Sequence, residues 1–313
     1  MTSKQYLPLY VLFGTCEKVL STFIDLGDGR GQAVRSDLRR VERAILMLAQ
    51  SPAAEPSLLR LLPSLKVIAS GGVGIDHLDL LFIASLGVKV TNTPGVVSDA
   101  TADIGMGLLL ASARKIRLLQ KQFEVITNVW WHIASLNVFV TGSTLGIIGM
   151  GHIGYKIAQR GKGFEMKILY HNRNRRAVGA TYCENMDDLL RRSDFVMLAV
   201  NLTPETTGLI GQRELSLMKP TATLVNVSRG LVVDQDALVK ALQSGTIHAA
   251  ALDVTHPEPL PRDHPLLSLP NVLITPHVGC STYQTIRRMV EVMVENARAA
   301  MNGLPIPNEV KSQ

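Results

Sequence analysis

Thr144-Leu145-Gly146-Ile147-Ile148-Gly149-Met150-Gly151-His152-Ile153-Gly154 runs an apolar segment straight into three glycines at G-x-G-x-x-G spacing. A glycine triplet alone arises by chance, so its meaning depends on what surrounds it. Here the preceding run reads as a buried strand, and Ile153–Gln159 after it has helical spacing. In that context Gly149 allows a tight turn, Gly151 lets a pyrophosphate approach the backbone, and Gly154 lets the helix pack close to the strand. The helix start, with His152 and Ile153, adds N–H groups and the positive end of a dipole. The stretch predicts a dinucleotide-binding strand–loop–helix; a glycine-rich turn without ligand is the competing reading.

Downstream, short apolar runs recur at 145–149, 167–171, 194–200, 222–227, 248–254 and 271–275. Several lack polar alternation, as strands covered by helices on both faces do. Helical spacing at Met186–Leu190 and Gln235–Leu242 falls between them. Together they predict a doubly wound parallel sheet. Upstream, strands are expected at Tyr10–Phe13, Ala44–Ala49, Lys66–Ala69 and Lys89–Asn92, forming a second α/β unit. One long helix is expected from Ser98 or Asp99 to about Gln122, with Ser98 as its cap and Lys115, Arg117 and Lys121 near its end. A last helix, Thr285–Met301, carries an apolar stripe of Ile286, Met289, Val290, Met293, Ala297 and Ala300 and is expected to fold back onto the first unit.

The end of the second downstream strand distinguishes the dinucleotides. An acid there would bond the ribose 2′-OH of NAD. This chain has Asn172-Arg173-Asn174-Arg175-Arg176 instead. Guanidinium forks match phosphate geometry, so this stretch favours the 2′-phosphate of NADPH, with NADH as the lesser cofactor. A solvated basic loop is the alternative.

Three groups follow in chain order: Asn226-Val227-Ser228-Arg229-Gly230, Leu252-Asp253 through Glu258-Pro259, and Thr275-Pro276-His277-Val278-Gly279. Each follows a predicted strand and so falls at the carboxyl edge, where such sheets bind ligands. Reducing a keto acid delivers hydride to carbon and a proton to the developing alkoxide. A histidine, His277, suits the proton transfer. A carboxylate, Glu258, favours the imidazolium and fixes the ring. A permanent cation, Arg229, can hold the substrate while negative charge grows. Taken singly, each has a structural reading: a loop ion pair, a surface acid, a cap.

The chain has 313 residues, 46% hydrophobic and 19% charged, which suits two globular domains. Its net charge of +6 is scattered, and no aromatics alternate with Arg35, Arg39, Arg40 and Arg43 to stack bases, which argues against a nucleic-acid partner. Cys16, Cys183 and Cys280 are far apart, which fits a reducing compartment and neither a disulfide framework nor a metal site. No apolar stretch suits a membrane span, and Tyr6–Phe13 lacks a signal-peptide cleavage site, so the cytosol is the expected location. No G-x-S-x-G supports a hydrolase.

From about Leu65 to Pro307 the chain resembles the D-2-hydroxyacid dehydrogenases, most closely the glyoxylate/hydroxypyruvate reductase branch. The marks are LKVIASGGVGIDHLDL, TNTPGVVSDATADIGMGLLL, TLGIIGMGHIGYKIAQR, NVSRGLVVDQDAL, LDVTHPEPLPRDHPLL and NVLITPHVG. The resemblance implies two Rossmann-like domains. A dinucleotide-binding domain (97–282) is inserted into a smaller flavodoxin-like substrate domain (1–96 and 283–313), with the active site in the cleft. It implies Arg229, Glu258 and His277 as the catalytic set, and a small 2-keto acid as substrate, bound through the Val73 and Gly74 N–H groups with Arg229 and His277. Asp253 would meet the nicotinamide carboxamide, Asn201, Val227 and Gly279 would contact cofactor, and Thr101 would line the cleft. The family pairs as homodimers through the cofactor domains. The likeness weakens before residue 60 and at 130–143, where the reductase branch carries a tryptophan reaching the partner's active site and this chain has Trp130 and Trp131. Cys280 replaces a common serine. Reduction of a longer keto acid such as 2-ketogluconate, or a dinucleotide-sensing scaffold like the C-terminal-binding proteins, are the alternative functions.

Overall fold

The structure, a computed structural model, describes residues 10–12, 24–25, 44–49, 56–60, 62–125 and 138–311. The arginine-rich segment from Arg35 to Arg43, Phe13, Cys16, Trp130, Trp131 and His132 lie outside the described residues. The chain divides into two compact units: Met1–Val97 with Thr282–Gln313, and Ser98–Ser281.

Strands are numbered along the chain. The first unit holds β1 (Tyr10–Leu12), β2 (Ile24–Asp25), β3 (Ala44–Ala49), β4 (Leu65–Gly71), β5 (Lys89–Thr91) and β13 (Glu309–Val310). Their order is β13-β5-β4-β3-β1-β2. The run β1-β3-β4-β5 is parallel, and the outer strands β2 and β13 are antiparallel to their neighbours. The order 2-1-3-4-5 is the flavodoxin-like one. Alternation along β4 explains its packing. Ile68 joins Leu59, Leu62, Ile83, Val88 and Val90 in one cluster, while Val67 and Ala69 pack with Met293 and Ala297 of the helix Tyr283–Met301 in another. The C-terminal helix thus belongs to the first unit.

Its buried stripe differs from the expected one. Thr285, Met289, Val292, Met293, Asn296 and Ala297 are buried, whereas Ile286 and Val290 are exposed. Two polar residues account for the rotation. Thr285 sits where its N–H meets the hydroxyl of the capping Thr282. Asn296 donates through Nδ2 to the Asn92 carbonyl at 3.1 Å and accepts at Oδ1 from Asn308 Nδ2 at 3.1 Å.

The second unit holds β6 (Thr144–Ile148), β7 (Lys167–His171), β8 (Thr181–Tyr182), β9 (Phe195–Leu198), β10 (Thr223–Asn226), β11 (Ala249–Leu252) and β12 (Val272–Ile274). They form a parallel sheet in the order β12-β11-β10-β9-β6-β7-β8. Both faces are covered. Along β9, Val196 and Leu198 join the cluster containing Leu189, Leu224 and Leu238, and Phe195 and Met197 join the one containing Leu109, Ile147 and Ile157. An apolar strand without alternation is the outcome of such double burial. The order reverses between β6 and β9, which makes their carboxyl ends the switch point where ligands bind.

The single helix expected from Ser98 is two, Ser98–Ala113 and Ile116–Val125. Lys115 takes a left-handed φ of 51° and breaks the run. Arg117, read as a complement to one helix end, instead donates to the Val272 carbonyl on β12 at 3.0 Å. Ser98 is the first helical residue rather than a cap, and its buried hydroxyl has no hydrogen-bond partner among the described residues. Among the described residues no helix is long and apolar enough to cross a membrane.

Candidate active site

The glycine loop closes β6 onto the helix His152–Gly163. Gly149 has a φ of 98°, and a Cβ there would stand 2.7 Å from the Ala199 carbonyl. A Cβ on Gly154 would come within 2.0 Å of the Gly149 oxygen, so helix and strand touch through hydrogen alone. Gly151 differs: a Cβ there meets no protein atom within 4 Å, so its side is open to an approaching ligand. Gly151 is also the helix N-cap and supplies no side-chain hydrogen bond, which leaves the first N–H groups, at His152 and Ile153, to an outside acceptor. The residues present fit a dinucleotide pyrophosphate.

Beyond β7, the basic stretch is tied to that loop. Asn172 Oδ1 accepts from Met150 N at 3.3 Å, and Arg176 Nη1 donates to the Met150 oxygen at 2.7 Å. Arg173 and Arg175 are exposed. Asn201, after β9, is exposed and its carbonyl accepts from Thr206 Oγ1 at 2.7 Å; Val227, after β10, is buried.

The β10, β11 and β12 loops are joined in turn. Asn226 at the end of β10 folds its own loop, accepting from Ser228 N and Oγ and donating to the Arg229 carbonyl at 2.9 Å. Gly230 then lies so near the next loop that a Cβ would meet Thr255 at 2.1 Å. From that loop Glu258 accepts at Oε1 from Thr255 N (3.0 Å) and at Oε2 from His277 Nδ1 (2.9 Å). Burial pushes the Glu258 carboxyl up, but the His277 hydrogen bond and charge, the Thr255 N–H and the Arg229 charge outweigh it. Its pKa lies below the usual carboxylate value. Arg229, Glu258 and His277, from three different loops, therefore share one electrostatic neighbourhood at one sheet edge.

His277 holds a left-handed φ of 52°, a conformation costing a non-glycine residue about 1–2 kcal/mol. Asp253 is what holds it there. This buried carboxylate accepts from Thr275 Oγ1 (2.6 Å), Val278 N (2.9 Å) and Gly279 N (2.8 Å). The Asp253 carbonyl accepts from His277 N at 2.8 Å. Sequence reading assigned Asp253 to the cofactor and missed this bracing of the His277 loop; Thr275, two residues before His277, was the available signal. Gly279 closes against buried Thr101, whose Oγ1 would lie 3.4 Å from an added Cβ.

In the first unit, Gly72 (φ 107°) follows β4. Its N–H donates to Thr93 Oγ1 at 2.8 Å, and the Val73 carbonyl accepts from Asn92 Nδ2 at 2.9 Å. These bonds fix the loop while the Val73 and Gly74 N–H groups find no acceptor among the described residues. Of this bracing pair, Asn92 was read only as the end of a strand, and Thr93 was not placed at the site.

A cavity of about 860 Å³ in the second unit lies elsewhere, lined by Thr144, Lys167 and Thr181 at the amino-terminal ends of β6, β7 and β8. Its Lys162, Arg191 and Arg192 stand in the last turns of their helices, where cations complement the helix dipole. Among the described residues no group of His, Cys, Asp and Glu could hold a metal ion.

Comparison with known proteins gives the family. Residues 106–279 match the sequence model of the D-isomer specific 2-hydroxyacid dehydrogenase NAD-binding domain. A glyoxylate reductase of Aeropyrum pernix is 44% identical over 268 residues, covering 82% of this chain and 79% of that one. One of Thermococcus litoralis is 41% identical over 285 residues, covering 87% and 84%. The crystal structure of an NADPH-dependent glyoxylate/hydroxypyruvate reductase from Sinorhizobium meliloti, in complex with NADP and malonate, aligns with a TM-score of 0.78 at 33% identity, covering 88% and 86%. With the fold, the glycine loop and the matched residues in agreement, this chain belongs to the D-isomer specific 2-hydroxyacid dehydrogenases, enzymes dependent on NAD(P).

Proposed function

We propose that this protein is an NADPH-preferring reductase of small 2-keto acids, converting glyoxylate to glycolate and hydroxypyruvate to D-glycerate. The observation that carries the reading is the 2.9 Å contact between His277 Nδ1 and Glu258 Oε2, within the electrostatic reach of Arg229. The glyoxylate reductases among its relatives support the substrate class.

Gly149, Gly151, Gly154 and the N–H groups of His152 and Ile153 would hold the pyrophosphate, and Arg173 and Arg175 the 2′-phosphate. When bound, the reduced nicotinamide supplies the hydride. Arg229 holds the substrate and offsets the charge that grows on the keto oxygen. Glu258, ionised, takes the Nδ1 proton of His277 as a hydrogen bond and leaves Nε2 to protonate the alkoxide. The N–H groups of Val73 and Gly74 would donate to the substrate carboxylate. The same reading makes the protein a homodimer paired through its dinucleotide-binding unit.

Purified protein, supplied in turn with glyoxylate, hydroxypyruvate and 2-ketogluconate while NADPH and NADH absorbance is followed, tests the proposal. Turnover of the two smaller acids with a higher kcat/KM for NADPH is expected. Tight dinucleotide binding with no turnover would overturn it, and preference for 2-ketogluconate would replace the substrate.

A further inference from the structure

The basic stretch after β7 is not three equivalent arginines. Arg176, exposed like Arg173 and Arg175, is held at its backbone and at one guanidinium nitrogen. Its backbone N–H donates to the Tyr170 hydroxyl at 2.9 Å, and that hydroxyl donates to the Arg176 carbonyl at 2.7 Å. Tyr170 is fully buried in β7, and its ring stands against Tyr182 of β8 at 5.3 Å between centroids. The Tyr182 hydroxyl in turn donates to the Asn172 carbonyl at 3.3 Å. From this base the Arg176 guanidinium reaches back to the Met150 carbonyl at 2.7 Å. The other side of the Met150 residue is held as well, its N–H donating to Asn172 Oδ1 at 3.3 Å. Met150 lies between Gly149 and Gly151, so the glycine loop is gripped at its centre by the segment that follows the neighbouring strand.

We propose that Arg176 is a positioning residue for the glycine loop, setting the pyrophosphate cradle for either dinucleotide, and is not a reader of the 2′-phosphate. Phosphate discrimination is then left to Arg173 and Arg175. A charge-assisted hydrogen bond to a carbonyl in a glycine-rich turn supplies the stiffness that the glycines lack. The inference rests on the reading of residues 172–176 as the adenosine-ribose end of the dinucleotide site.

The test is the affinity of the full-length protein for NADPH and for NADH, measured by titration, in Arg176→Ala, Arg176→Lys, Tyr170→Phe and Arg173→Ala/Arg175→Ala. Arg176→Ala should weaken both cofactors by a similar factor of about ten, the worth of one hydrogen bond to a charged group. Arg176→Lys, which retains one donor for the Met150 carbonyl, should restore most of the binding of both. Tyr170→Phe should weaken both together. The double variant should weaken NADPH alone. Loss of NADPH at least tenfold beyond that of NADH in Arg176→Ala, or unchanged binding of both, would overturn the proposal. If Arg176→Ala does not fold, a selective NADPH loss in Arg176→Lys or Tyr170→Phe overturns it equally. Equal losses in the double variant would end the NADPH preference instead, leaving the Arg176 assignment to be judged by its NADH arm.

Discussion

Nδ1 of His277 donates to Oε2 of Glu258 across 2.9 Å, while the backbone of His277 is held left-handed by Asp253. One acid orients the ring and the other holds the residue that carries it. Their replacement should therefore fail in different ways.

Glu258→Gln keeps the shape and removes the charge. It should lower kcat by a large part of the ~10²–10⁴-fold that a positioned acid contributes, with dinucleotide affinity unchanged. Steady-state kinetics beside a cofactor titration separates the two. An unchanged kcat would remove Glu258 from the proton-transfer step.

Asp253→Asn offers an amide NH₂ where one of three donors now points, so at least one buried donor loses its acceptor. The expected cost is about 1–3 kcal/mol of stability, read as a lower urea midpoint, together with a lower kcat as the His277 loop loosens. Full stability would show that the hub is dispensable.

Glu258 also predicts a pH dependence. Its folded pKa lies below the unfolded value of about 4.3. It therefore contributes stability that is fully present above that value and is lost as the pH falls through the folded pKa. The urea-midpoint difference between the natural protein and Glu258→Gln should shrink as the pH falls below about 4.3. A difference that grows on acidification would contradict the depressed pKa.

Gly151→Ala and Gly154→Ala separate ligand space from packing space. At Gly151 an added methyl meets no protein atom within 4 Å, so stability should hold while dinucleotide binding weakens. At Gly154 the methyl would stand 2.0 Å from a backbone oxygen, so about 1–3 kcal/mol should be lost before any ligand is added. Thermal unfolding of the apo proteins decides. Equal losses in both would contradict the division.

The doubly wound sheet was legible because its physics is local. KILYH at 167–171 buries Ile168, Leu169 and Tyr170 in succession and forms β7 as read, and Gly149 and Gly151 occupy the turn, and Gly154 the helix start, that their spacing implies. What escaped the sequence was set by tertiary contacts. No glycine or proline marks the break at Lys115, and nothing local announces a left-handed His277. The final helix turns Asn296 inward because Asn92 and Asn308 satisfy it, and Val290 outward in its place, which a hydrophobic stripe cannot anticipate. Arg176 looked like its neighbours in composition. Only the position of Met150 showed that its charge was already engaged.

The most direct measurement of the central claim is single-turnover reduction of hydroxypyruvate by deuterated NADPH, comparing the natural protein with His277→Ala. The account predicts D-glycerate carrying one deuterium at its second carbon, formed at least ~10²-fold more slowly by the variant. Product without the label, or a variant that keeps pace, would contradict it.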